Sequence, residues 1–315
     1  MRFELVITPF NEENLKLASQ IGVTDIHSRY PGQTLEDLTR IQNQIESFDL
    51  KLSVIEGGLP MDDIKLGNSG RDQQIELIKK LLQNMGKAKI PILCYNWMPK
   101  DGVVRTSFEV EERGGARVSG FNIEMLKPEQ HEPITITTDD QMWGNLDYFL
   151  RQVVPVAEEN NVTLTMHPDD PPVSPLFGLA RIMRDIEAFE RLVEIVTSPS
   201  NAICFCQGTF AEMGADIPAT IRRLGKHIRQ VHFRDIRGVS TNFHESFHDN
   251  GQTDMLAAMR AYKEIDFDGP IRTDHVPMLE GDEEDQSTYG FGYTMLGRLH
   301  AIGYMRGLLE AVSEN

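Results

Sequence analysis

Short apolar runs alternate with longer amphipathic stretches along this chain, and the alternation repeats eight times. The runs read as strands at 2–8, 23–28, 50–56, 90–97, 162–167, 202–207, 228–235 and 269–275. Between them, stretches near 12–20, 34–47, 71–85, 140–159, 179–196, 215–226, 252–264 and 292–312 carry the spacing of helices. Thr34 stands three residues before Asp37, an approximate capping box that marks one helix start. Strands alternating with helices imply parallel pairing through right-handed crossovers. Eight such units predict an α/β fold closed into a (β/α)8 TIM barrel, with an open doubly wound sheet as the alternative. No repeat, low-complexity tract or Pro/Gly-rich linker divides residues 1–315, so one domain is expected. The one long irregular stretch is 98–138, after the fourth strand. It reads as an insertion loop with a functional or assembly role.

Composition narrows this picture. Apolar residues are 40% and charged residues 25%, enough apolar content for a core. Lys+Arg number 31 against 48 Asp+Glu, a net charge of −17. That balance argues against a nucleic-acid partner, which calls for a basic stripe. No apolar run is long enough for a membrane helix, and the first residues lack the pattern of a secretory signal. Cys94, Cys204 and Cys206 are too few for a disulfide scaffold. A cytoplasmic location is the expectation.

Active sites of such barrels form at the C-terminal ends of the strands. Strand five ends at His167-Pro168-Asp169-Asp170, and strand six at Cys206-Gln207-Gly208. Strand seven carries His232 and Arg234, and strand eight ends at Asp274-His275. Residues two apart on a strand share a face. Thr163, Thr165 and His167 therefore point one way, as do Cys204 with Cys206, Gln230 with His232 and Arg234, and Arg272 with Asp274. A polar inner face on four successive strands predicts a rim site. Two imidazoles, a thiolate and a carboxylate make a set for Zn(II), Fe(II) or Mn(II). Three other features are open. Gly67-Asn68-Ser69-Gly70 reads as a plain loop or an anion-binding turn. The tract 243–248 lines the pocket or is a solvated loop. The acidic run Glu280–Asp285 reads as solvated.

The chain resembles the D-mannonate dehydratases, metal-dependent lyases of hexuronate catabolism on a xylose-isomerase-like TIM barrel. The segments that carry the resemblance are IKLGNSGRD (64–72), CYNWMP (94–99), VVRTS (103–107), MHPDDPP (166–172), CFCQG (204–208), VHFRDIRG (231–238), FHESFHDNGQTDM (243–255), RTDHVP (272–277) and GYTMLGRLHAIGYMRGLLEA (292–311). The resemblance implies a Mn2+ or Fe2+ ion on His167, Cys206, His232 and Asp274. It implies catalytic roles for His275 and Tyr293, with Tyr289 as the fallback. Position suggests Asn96, Arg234 and His248 as substrate contacts, Arg234 on the sugar-acid carboxylate. A homo-oligomer is expected. The competing readings are a metal-dependent sugar isomerase or epimerase, or a dehydratase of another sugar acid, on the same barrel. A metal-dependent DNA phosphodiesterase and a non-catalytic binding module stand further off.

Overall fold

The computed structural model describes residues 1–99, 102–127, 136–282 and 291–313. Eight parallel strands close into a barrel: β1 (Arg2–Val6), β2 (Asp25–Ser28), β3 (Lys51–Glu56), β4 (Ile92–Asn96), β7 (Thr163–His167), β8 (Asn201–Cys206), β9 (Ile228–Phe233) and β12 (Pro270–Thr273). The seam is closed by β1 against β12, with Phe3 opposite Ile271 and Glu4 opposite Arg272. The open-sheet alternative falls on that pairing. Every expected barrel strand is found, with ends shifted by at most a few residues.

The alternation seen in the sequence sorts side chains between two environments. Outward residues such as Leu52, Leu93, Leu164, Phe205, Val231 and Ile271 pack on Leu38, Ile78, Leu146, Leu192, Ile221 and Ile302 of the surrounding helices in one continuous apolar core. Inward positions hold a small separate cluster, Val54, Ile92, Cys94 and Cys204. Around it lie buried Glu4, His27, Thr165, Gln230, His232 and Arg272. A barrel interior this polar must be satisfied internally, because buried polar groups cost free energy unless they are paired.

The helices include α1 (Glu12–Gln20), α2 (Leu35–Glu46), α4 (Arg71–Ala88), α5 (Asp139–Glu159), α6 (Ile186–Ile195), α8 (Ile217–Leu224), α9 (Met255–Glu264) and α10 (Met295–Ser313). Thr34 and Asp37 form a reciprocal capping box on α2. Two short helices, α3 (Asp62–Leu66) and α7 (Gln207–Glu212), add to the expected set. The expected helix at 179–196 begins only at Ile186, where Asp185 caps it. Upstream, side chains take the backbone N–H groups: Thr137 accepts from Ala180, Ser174 from Arg181 and Asp169 from Met183.

A second sheet was not foreseen. It comprises β5 (Ser107–Glu111), β6 (Arg117–Asn122), β10 (Ile236–Val239) and β11 (Asn242–Glu245), antiparallel in the order β10-β11-β6-β5. Within the stretch read as irregular, 107–122 thus forms a hairpin. It pairs with a second hairpin that follows β9.

Candidate active site and metal centre

The four expected ligands come from neighbouring strands β7, β8, β9 and β12 at the C-terminal rim. Cys206 lies opposite His232, which in turn lies opposite Arg272. Their side chains are buried: His167 is 8% exposed, Cys206 and His232 0%, Asp274 3%. Ligand atoms of His167, Cys206 and His232 lie within 4.8 Å of one another. Asp274 Oδ2 is 3.9 Å from both Cys206 Sγ and His232 Nδ1. Bonds of about 2.0–2.3 Å to one ion put donor atoms roughly that far apart, so the set fits a single divalent cation.

The surrounding chemistry prepares these donors. His167 Nδ1 is 2.7 Å from the Pro168 carbonyl. A carbonyl only accepts, so Nδ1 carries the proton and Nε2 keeps its lone pair. Burial alone would raise the Cys206 thiol. The hydrogen bond with His232 and the charge of Arg234 outweigh it and lower the pKa, towards the thiolate a metal needs. Burial likewise opposes ionisation of Asp274, yet Arg272, His275 and His232 hold it well below the carboxylate range.

Two other triplets have comparable spacing: Cys94, Cys204 and His232, and His27, Glu56 and His232. They are weaker sets. Burial pushes Cys94 up to about 11 and Cys204 well above its ordinary value, so both remain thiols. Glu56 Oε2 lies 3.2 Å from His27 and 3.6 Å from the Arg272 guanidinium, which also pairs with Asp274 at 2.6 Å.

A cavity of about 310 Å³ opens beside the first set, lined among others by Asn96, Arg105, His167, Asp274, His275 and Tyr293. His275 and Tyr293 meet edge to face, ring centres 5.5 Å apart. Tyr293 donates its O–H to Asp274 Oδ1 at 2.8 Å. Burial, reinforced by the Asp274 charge, raises the phenol well above its usual pKa, so it stays protonated. His275 has φ 43°, a left-handed conformation that costs a non-glycine residue energy. Its backbone is held where the N–H of Val276 donates to Gly292. Tyr289 lies outside the described residues.

Of the three expected substrate contacts, only Asn96 lines this cavity. Its Oδ1 accepts from Lys65 Nζ at 3.0 Å. Arg234 is 0% exposed, and its N–H groups are spoken for. Nε donates to Glu245, Nη1 to Asp170 and Thr209, and Nη2 to Glu212 and Glu245. Gly208 leaves room for this side chain, since a Cβ there would sit 2.6 Å from it. The expected role on the substrate carboxylate is therefore corrected: Arg234 ties the wall together from behind. His248 is also behind the wall, 1% exposed and near-parallel to Phe233 at 6.2 Å. Burial lowers its imidazole to about 4, and direct contact with a substrate hydroxyl is corrected too.

Several cavity residues escaped the sequence reading. Arg105 stands just before β5, bound by both nitrogens to Asp170 at 2.6 and 2.9 Å. His27 and Glu56 come from the ends of β2 and β3; the strand-end rule, applied to the first four strands, points to them. Burial opposes ionisation of Glu56, but His232, His27 and Arg272 keep its carboxyl well below the usual range. The tract 243–248 is no solvated loop: Glu245 is 2% exposed, with Oε1 2.8 Å from His275 Nδ1. Gly67 to Gly70 is a turn in which Gly67 ends α3 in a left-handed conformation.

The model of the D-mannonate dehydratase (UxuA) family matches residues 13–139 and 132–315. Mannonate dehydratase of Oceanobacillus iheyensis is 34% identical over 311 residues, covering 90% of this chain and 87% of that protein. The Thermotoga maritima enzyme of the same name is 32% identical over 317 residues, with 89% and 86% covered. A solved mannonate dehydratase from Streptococcus suis serotype2 superposes with a TM-score of 0.91 at 29% identity, covering 100% of this chain and 94% of that one. A D-tagatose 3-epimerase-like protein, 13% identical with a TM-score of 0.66, shares the fold.

Proposed function

This chain belongs to the D-mannonate dehydratase family, and we propose from that premise which of its residues carry the reaction. The protein is a hydro-lyase that dehydrates D-mannonate to 2-keto-3-deoxy-D-gluconate. The C2 proton and the C3 hydroxide leave as water, and the resulting enol rearranges to the ketone.

The C2 proton is weakly acidic, so its loss needs both a base and a sink for negative charge. His167, Cys206, His232 and Asp274 would hold Mn(II) or Fe(II), which would supply that sink for the developing negative charge. His275 is the base: its Nδ1 is held by Glu245 Oε1 at 2.8 Å, and Nε2 is the nitrogen free to act on the C2 proton. Tyr293 is the acid. Its phenol is held protonated next to Asp274 and delivers a proton to the departing C3 hydroxide. Asn96 contacts a substrate hydroxyl. Arg105 lines the cavity with its guanidinium held by Asp170 and Glu245. The observation that carries this reading is the convergence of His275, Tyr293 and Asp274 on one cavity.

The same reading takes residues 1–315 as one cytoplasmic barrel domain with 98–138 inserted. It forms a homo-oligomer and binds no nucleic acid. No helix among the described residues is long and apolar enough to cross a membrane. Chelator-stripped protein, incubated with a panel of hexonates before and after Mn(II), tests the chemistry. D-Mannonate gives a 2-keto-3-deoxy acid only with metal; turnover of another hexonate alone moves the substrate, and no turnover of any sinks the reading.

A further inference from the structure

Glu245 ends β11 and thus belongs to the small sheet, not to the barrel. Its carboxylate nonetheless reaches the active-site wall and meets four donors. Arg234 gives Nη2 to Oε1 at 2.6 Å and Nε to Oε2 at 2.7 Å. Arg105 gives Nη2 to Oε1 at 2.8 Å, and His275 Nδ1 lies 2.8 Å from the same oxygen.

Which atom carries the proton between His275 and its neighbours follows from counting hydrogens. Arg105 Nη2 is also 3.2 Å from His275 Nδ1. A guanidinium nitrogen of this kind has two hydrogens. Both are engaged, one on Asp170 Oδ2 at 2.9 Å and one on Glu245 Oε1. None remains for the imidazole, so Nδ1 is the donor and Glu245 the acceptor. The Glu245 carboxylate is itself locked from the other side by the buried Arg234.

We propose that Glu245 is the positioning residue for His275, holding its ring in one tautomer and one orientation with Nε2 turned to the substrate. Two separate restraints then aim the base: the left-handed backbone of His275 fixes where the ring starts, and Glu245 fixes how it turns. This rests on the reading of His275 as the base. A carboxylate behind an imidazole acts without touching substrate, as do the partners that orient metal-bound histidines. The arrangement also gives the small sheet a function: it carries Glu245 at the end of β11 and Arg105 at the entry to β5.

The test is a double-mutant cycle on the manganese-loaded enzyme turning over D-mannonate, with kcat and KM measured separately for Glu245→Gln, His275→Asn and the pair. Glu245→Gln is expected to lower kcat about 10–100-fold while KM and bound metal stay near the wild-type values. In the His275→Asn background the same change is expected to have no further effect, because the ring it orients is gone. Multiplied losses in the double variant, or an unchanged kcat in Glu245→Gln, overturn the proposal. Full turnover in His275→Asn instead overturns the base assignment, and this is read from that single variant. If Glu245→Gln fails to show a cooperative thermal transition, Glu245→Asp replaces it. That variant keeps the charge between the two arginines and withdraws the oxygen from Nδ1, so the same losses are expected.

Discussion

The barrel and the small four-stranded sheet meet at one cavity but are built on different physics. Barrel strands are flanked by neighbours and covered by helices, so their outward residues form a continuous apolar core. The small sheet carries exposed apolar side chains, among them Phe108 and Val239 at 48% and 53% exposure. Each contributes differently to the site. The barrel delivers the proposed metal set from four adjacent strands, where backbone hydrogen bonds fix the register. The sheet is tied to the barrel wall by buried charge, through Arg105, Glu245, Arg234 and Asp170. A rigid scaffold sets the donors, and an ionic clamp aims the groups around them.

The sharpest way to break this division is at the barrel rim. Cys206→Ser is expected to lose stoichiometric metal and, with it, several kcal/mol of transition-state stabilisation, about a thousandfold or more in turnover. Metal analysis beside steady-state rates checks it; full occupancy with full turnover would place the ion elsewhere. The clamp is tested next. Arg105→Ala leaves Asp170 and Glu245 short of a buried partner, and such losses cost about 3–5 kcal/mol. Denaturant unfolding of the metal-loaded protein should show a drop of that order.

The third test uses pH. His248 follows the small sheet, and burial depresses its folded-state pKa from 6.5 to about 4. Between those values the unfolded chain binds more protons than the native state. The stabilisation is therefore complete above pH 6.5 and is lost as pH falls towards 4. Melting midpoints across that window should fall more steeply for the wild type than for His248→Gln; parallel curves would mean His248 titrates normally. The smallest effect belongs to the sheet's outer face. Val239→Ser should shift stability by no more than about 0.5 kcal/mol, read by the same denaturant titration.

The same contrast explains what was legible in the sequence. Barrel strands are covered on their outer face over several residues, so runs such as LKLSVIE and VTLTMH stand out, and the strand-end rule leads to His167, Cys206, His232 and Asp274. The small-sheet strands are only four to six residues long, and the alternation in SFEVE rests on just two apolar positions, Phe108 and Val110, too short a signal to stand out in the loop around it. Arg234 misled for another reason. Its strand position indicates a direction but not a destination, and the long side chain runs under Gly208 into a nest of carboxylates that come from Asp170, Glu212 and Glu245. Glu245 itself sits in a tract dense in titratable residues, where nothing local singles out the one that meets a histidine thirty residues on in the chain.

The central claim is that one divalent ion sits on the rim set with Cys206 as a ligand. Titrating chelator-stripped protein with Co(II), while following thiolate-to-metal charge-transfer absorption, tests it most directly, because that band requires a sulfur ligand. A band that rises to a single equivalent and is absent from Cys206→Ser is expected. A band that survives Cys206→Ser, or no band with metal bound, would contradict it.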